Sequence, residues 1–487
     1  MKKLYFFSLF VVICFMLSNN VYSQTLDGTW KCLYATYDDD TNGAGYPVID
    51  VGIISENNFV ALVSRASKSS FYLVGYKDAD SANGRMGTFG YGSAMANFHT
   101  IWYNMFDQVD MNDPNALATK GNLVYVANND VDHNILVFEY QQDSVYSYPA
   151  RMLTGSDYIW AIDVDQAGRV YVSQTPDATS VGKVLIFDSI ENEPSWGMGL
   201  PANPLYTITM PEPGSIRGIA VDPSAQALYV SNYTTNKVYC FTGTPSTGYT
   251  LNPSFNCFIH DMKIATAGDT VYGSPWGLKF LKEKNILFVA STPDFTTGSG
   301  YEMSKIHAIN PNTGDSLGTL DIAQWNFNMT GSYQNRTGGT TPGNASGYAS
   351  NYNVEFDENN YLYSTSYYGW TVEKWMYEGT FPVIPLTIVG VEKLNTPIPV
   401  EFNLSQNYPN PFNPTTTIEF SITNNSRVSL DVYSVTGELV AQLINNSELT
   451  SGSYKYTFDA SKLASGVYIY KLTSGINTIS KKMTLIK

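Results

Sequence analysis

The sequence is poor in the residues on which most site chemistry depends. Its 487 residues include only 4 histidines and 4 cysteines. His99, His133, His260 and His307 form no H-x-x-x-H or other close pair, so their spacing gives a histidine-based metal site no support. Beyond the first apolar stretch the cysteines are Cys32, Cys240 and Cys257, which match no zinc pattern; a Cys240–Cys257 disulfide and three buried thiols are both compatible with them. Charge is scarce too: charged residues make up 15%, and 28 Lys and Arg against 43 Asp and Glu leave a net charge of −15. Without a basic cluster to replace counterions, a nucleic-acid partner is disfavoured. There is no G-x-S-x-G elbow, no Walker loop and no dinucleotide fingerprint. Long apolar runs are missing except at the start, where residues 4–17 are too few to span a bilayer, so no transmembrane segment is expected.

That first run has another reading. Lys2 and Lys3 precede it, and a polar stretch ending in Ser23 follows. This is the pattern of a secretory signal peptide over 1–23, and it implies an exported chain.

What the chain has in quantity is aromatics, 14% of residues with 36 Tyr, and short alternating apolar runs. One unit recurs: a short strand, a turn bearing Asp or Gly, then a strand ending in Tyr-Val-small. It appears as ALATKGNLVYVAN (116–128), AIDVDQAGRVYVS (161–173), GIAVDPSAQALYVS (218–231), GLKFLKEKNILFVA (277–290), NVEFDENNYLYS (353–364) and, less regularly, DVGIISENNFVALVS (50–64). Aligned on Leu62, Tyr125, Tyr171, Tyr229, Phe288 and Tyr363, the spacings are 63, 46, 58, 59 and 75. Several short strands repeated at about this period predict propeller blades. Six fit residues 24–385, with enough slack for a seventh, and closure would remove exposed sheet edges. The early segment 29–34 is expected to complete the last blade near 372–377. The units VDPSAQALYVSNYTTNKVYCF (221–241) and LVYVANNDVDHNILVFEY (123–140) resemble the NHL, YVTN and SMP-30-like families of propeller repeats, a likeness that supports a fold and no activity.

In an antiparallel blade, the start of the innermost strand shares a face with the loops between the second and third strands. Trp160, Arg217, Trp276 and Tyr352 stand at the first position; Asp177 and Asp294 stand in the loops. Together they are the candidate ligand face, suited to a glycan or an extended peptide, with packing of the tryptophans into a plug as the competing reading. SMP-30-like lactonases hold a metal with Glu, Asn and Asp at comparable positions, a set this chain lacks. Asp165, Asp222 and Asp357 are expected to serve the backbone of their turns. Asp38, Asp40 and Asn42 match the first half of a calcium loop, but Tyr46 and Ile49 occupy its ninth and twelfth positions, so no cofactor is expected beyond this partial match. The polar stretch 331–351 is expected to be either a lid or disordered.

Past residues 386–400, read as a linker, the pattern changes. Pro409, Pro411 and Pro414 fall within six residues, followed by a strict alternation in which Ile418, Phe420 and Ile422 are apolar. Six or seven short strands in residues 401–487 predict a small Ig-like β-sandwich, with Gly437 and Gly466 marking tight turns. Residues 402–487 closely resemble the type A C-terminal sorting domain of the type IX secretion system. The motif residues are Tyr408, Pro409, Asn410, Pro411, Phe412, Asn413, Pro414, Gly437, Gly466, Tyr468, Lys481 and Lys482. The resemblance implies a Bacteroidetes-type host, passage through the periplasm, the type IX machinery as partner, and release or attachment to surface lipopolysaccharide after processing. The whole reads as all-β: a six-bladed, or seven-bladed, β-propeller exported to the cell surface or beyond by its terminal sandwich. Its expected role is non-catalytic binding of glycan or peptide; a metal-dependent hydrolase or lactonase and a structural surface-layer component are the alternatives.

Overall fold

The computed structural model describes residues 25–35, 47–55, 58–64, 71–76, 113–129, 134–141, 144–152, 158–175, 177–192, 202–246, 248–264, 270–293, 303–331, 350–369, 371–384, 386, 391–394, 399–449, 451–460 and 463–487. The stretch 1–23 read as a signal peptide, Asp38, Asp40, Asn42, Asp294 and most of the polar stretch 331–351 lie outside them.

Among the described residues six small antiparallel sheets precede residue 386, and two more follow. The innermost strands of the six are Val48–Ser55, Ala116–Lys120, Ile162–Val164, Ile216–Val221, Thr270–Leu281 and Asn351–Phe356. Each touches the next, and the last touches the first, so the sheets are blades around a closed ring. Closure carries the N-terminus with it: Thr29–Ala35 is the outer strand of the sixth blade, paired with Thr371–Glu378 in the register Trp30↔Tyr377. This is the pairing expected from the sequence.

The recurring Tyr or Phe explains why the units repeat. Leu62, Tyr125, Tyr171, Tyr229, Phe288 and Tyr363 are all almost fully buried. Each belongs to the apolar cluster between its own blade and the following one. A propeller core is thus a set of seams, and the repeated position, a ring in every blade but the first, fills one seam per blade. The turn aspartates do what turns require. Asp222 accepts the backbone N–H of Ser224, Gln226 and Ala227. Asp165 accepts Arg169 N and the Tyr171 hydroxyl, and Asp357 accepts Tyr361 N and the Tyr363 hydroxyl. Cys240 and Cys257 are free thiols in the seam between the fourth and fifth blades, their pKa values pushed up to about 12 by burial.

One element among these blades is not a strand. Ile322–Thr330 is helical, capped by Asp321, whose Oδ1 accepts Gln324 N at 2.8 Å, and stopped by Gly331 at φ 77°. It buries Ile322 and Ala323 and sets Trp325 against Trp375, with ring centroids 5.0 Å apart.

The terminal sandwich has its own core, drawn only from residues 402–485. One sheet runs Val391–Leu394, Gly452–Asp459, Thr415–Ile422, Asn403–Leu404; the other runs Leu439–Leu449, Ser426–Ser434, Gly466–Ser474, Asn477–Leu485. Ile418, Phe420 and Ile422 face inward as their alternation requires. Val391–Leu394 pairs with Gly452–Asp459, so a sandwich strand lies inside the stretch read as linker. The proline segment clasps the two sheets together. Tyr408 exchanges backbone hydrogen bonds with Thr417 of one sheet, while Phe412, buried, accepts from Ile486 N and donates to Thr484 O beside the other. Asn407 Nδ2 donates to Pro409 O and Thr416 Oγ1, and Thr484 N donates to Asn410 Oδ1. The Tyr408–Pro409 and Asn410–Pro411 bonds are cis. Gly437 has the positive φ of a tight turn, 88°. Gly466 does not: it opens a strand, and a Cβ there would meet nothing nearer than Tyr468 Cε2 at 3.9 Å.

Candidate functional site

Four of the six residues assigned to the ligand face come together. Arg217, Trp276 and Tyr352 each sit at an irregularity in an innermost strand, where the register shifts between Ile216 and Gly218, Pro275 and Leu278, and Asn351 and Val354. A bulge re-aims the side chain it carries. Glycines make the crowding possible: a Cβ on Gly218 would lie 2.2 Å from Trp276 O, and one on Gly277 would lie 2.6 Å from Tyr352 O. Trp160 stands just before the innermost strand of the third blade, its N–H donating to Ser173 Oγ at 3.2 Å.

The Arg217 guanidinium carbon lies 3.4 Å from the Trp160 ring centroid and 4.8 Å from that of Trp276. Trp276 meets Tyr352 at 4.5 Å and Tyr233 at 5.1 Å, and Tyr367 lies 5.0 Å from Tyr352. All are half-buried, so the mouth presents partly exposed ring surface around one cation. Arg217 Nε and Nη1 are buried and find no hydrogen-bond partner among the described residues. Burial lowers the Arg217 pKa to about 10, which leaves it charged at neutral pH. Asp177 is not part of this group of interactions. Its Oδ1 accepts Thr179 N and Ser180 N, both at 2.7 Å, and its Oδ2 accepts Ser180 Oγ at 3.0 Å, so its own loop satisfies it. Those bonds, the Thr179 side chain first, hold its pKa below the usual carboxylate range.

Deeper on the axis lies a cluster absent from the sequence reading. Lys279 Nζ is 2.7 Å from Glu355 Oε2 and 3.8 Å from Asp163 Oδ1. Burial opposes the Lys279 charge, but Glu355 and Asp163 hold its pKa raised. The carboxylates also stitch blades: Asp163 Oδ2 accepts Val221 N at 2.9 Å, and Asp50 Oδ2 accepts Leu117 N at 2.8 Å, each from the next blade. Burial pushes the Asp50 pKa up to about 7. Between Arg217 and this cluster is a void of about 20 Å³, room for about one water. The far mouth is more open, with a cavity of about 390 Å³ bordered by Lys120, Gln166, Lys282, Glu283, Glu358 and Asn360. A signal for the axial cluster was present: Ile49-Asp50-Val51, Ile162-Asp163-Val164, Leu278-Lys279-Phe280 and Val354-Glu355-Phe356 each set one charge between apolar residues. Among the described residues no group of three or more His, Cys, Asp and Glu is arranged to hold a metal ion.

No curated protein matches the chain. Among solved structures it is similar to a gluconolactonase from Xanthomonas campestris, at 13% identity and TM-score 0.40 over 73% of this chain and 92% of that one. It is similar to regucalcin, a calcium-binding protein from Agrobacterium tumefaciens, at 10% identity and TM-score 0.38 over 74% and 97%. It is also similar to a family AA12 carbohydrate-active enzyme from Trichoderma reesei, at 10% identity and TM-score 0.37 over 71% and 97%. At such identities the likeness is one of fold alone. No helix among the described residues is long and apolar enough to cross a membrane. Residues 406–487 match the family described as the secretion system C-terminal sorting domain. The sandwich is therefore a type IX sorting domain, and it directs the chain ahead of it to the cell surface or the extracellular space.

Proposed function

We propose that the exported propeller is a binding module whose ligand, a glycan or an extended peptide, docks at the mouth formed by Trp160, Arg217, Trp276 and Tyr352. The observation that carries this is Arg217: a cation close to two tryptophan rings, with Nε and Nη1 buried and without a hydrogen-bond partner among the described residues. Unpaired buried donors cost stability, of order 1–3 kcal/mol each, unless a partner arrives. Partly exposed rings around a cation make a surface that binds flat or apolar faces and orients them with few polar contacts. Residues 1–23 act, in this reading, as a signal peptide that delivers the chain to the periplasm before the sandwich takes over. Glycan-array and peptide-array binding by the purified protein is the test. Trp160→Ala and Trp276→Ala are each expected to weaken binding at least tenfold while the protein stays folded. Unchanged binding in both would remove the mouth from consideration.

A further inference from the structure

We propose, resting on the binding reading above, that the ligand is an acidic glycan and that the carboxylate of a uronic-acid residue seats on Arg217. The guanidinium packs against the rings of Trp160 and Trp276, and its in-plane N–H groups have the geometry a carboxylate accepts. Among the described residues no internal acid takes this role. Asp177 is satisfied by its own loop, Asp50 by Val51 N and Leu117 N, Asp163 by Val221 N and Lys279, and Glu355 by Phe356 N and Lys279. The void beneath Arg217 is too small for a ligand, so an acid group meets the guanidinium from the mouth.

Two observations favour a sugar over a peptide. Extended peptides bind by adding a strand to a free sheet edge, but the strands at this mouth are innermost strands packed in a closed ring. Acidic peptides are usually taken by clustered arginines, and among the described residues this mouth has one. A pyranose instead offers C–H faces to the partly exposed rings of Trp160, Trp276 and Tyr352, with one carboxylate left for one cation. The net charge of −15 also works against dense polyanions and favours acid residues spaced by neutral sugars. Export places the protein where such polysaccharides are met.

The test uses the full chain, calorimetry, and oligosaccharides containing glucuronate, galacturonate or mannuronate, each beside its carboxyl-reduced counterpart. At least one acidic oligosaccharide is expected to bind tenfold or more tighter than its reduced form, the effect of losing one charge-assisted hydrogen bond pair. Arg217→Gln should abolish that preference at an unchanged melting temperature, and Arg217→Lys should keep part of it. Equal binding of acidic and reduced forms overturns the carboxylate while leaving a glycan-binding mouth. Binding of acidic peptides with no glycan overturns the sugar. Binding of neither glycan nor peptide overturns both this inference and the reading beneath it. The acid-versus-reduced comparison in the wild type decides the matter even where the Arg217 variants fail to fold.

Discussion

Asp50 lies on the propeller axis near Lys279 and Glu355, with both carboxylate oxygens accepting backbone N–H groups, yet burial still lifts its pKa from 3.8 to about 7. An acid whose pKa is raised by folding binds more protons in the folded state between those two values, so stability falls as pH rises through that window and levels off above it. Asp50→Asn removes the titration. Urea unfolding from pH 4 to pH 8 should show a shallower decline for the variant than for the wild type, by about 2–4 kcal/mol across the window. Parallel curves would show that the charge of Asp50 is compensated in the fold. The same neighbourhood shows which residues could be read in advance. Trp160, Arg217, Trp276 and Tyr352 were legible because the start of the innermost strand recurs in every unit. Lys279 was not: a lysine between Leu278 and Phe280 fits the solvent side of an alternating strand, and only ring closure, which brings Asp163 and Glu355 from distant sequence, buries it. That Asp177 caps its own Thr179 and Ser180 was not legible, because such a loop aspartate and one free to face the mouth look alike in a string of letters.

The strand Thr29–Ala35 is the element on which closure depends. It joins the last blade from the far end of the propeller sequence, and Trp30 packs on Tyr377, Phe381 and Phe288 at centroid distances of 5.1, 5.9 and 6.4 Å. Truncating that ring removes contacts to two blades at once. Trp30→Ala should cost about 2–4 kcal/mol by denaturant unfolding, toward the low side of buried tryptophan truncations because the ring is only partly buried. A loss under about 0.5 kcal/mol would mean that the strand is not the clasp. This strand was legible because its alternating residues had no partner nearby in sequence while the last blade lacked an outer strand. The strand Val391–Leu394 was not legible. Prolines on both sides made it look like linker, and its partner, Gly452–Asp459, lies some sixty residues on. The helix Ile322–Thr330 was missed for the opposite reason: its cap, Asp321, and its stop, Gly331, were both present, but nine residues are too few for a convincing period.

At the scale of the molecule, the described residues form two separate sets of interiors. Leu386 is the last described residue packed against the propeller, and its cluster holds no residue of the sandwich; the sandwich core in turn holds none from the propeller. Only residues 387–390 separate Leu386 from the first sandwich strand, a span of at most about 18 Å. Separate cores so closely joined predict that either part folds without the other, as a passenger and a detachable signal should. The cut must respect the strand at Val391–Leu394, because a truncation at residue 399 would leave that strand behind without its partner. Deleting 391–487 should therefore leave a propeller whose melting temperature matches that of the same domain in the full protein, but which accumulates in the periplasm. The converse fusion, 391–487 behind an unrelated exported passenger, should reach the surface. Fractionation with protease shaving of intact cells reads both. Surface delivery of the truncated propeller would show that the passenger carries its own route. Failure of the truncated propeller to fold would show that the two cores, distinct in the structure, depend on one another for stability.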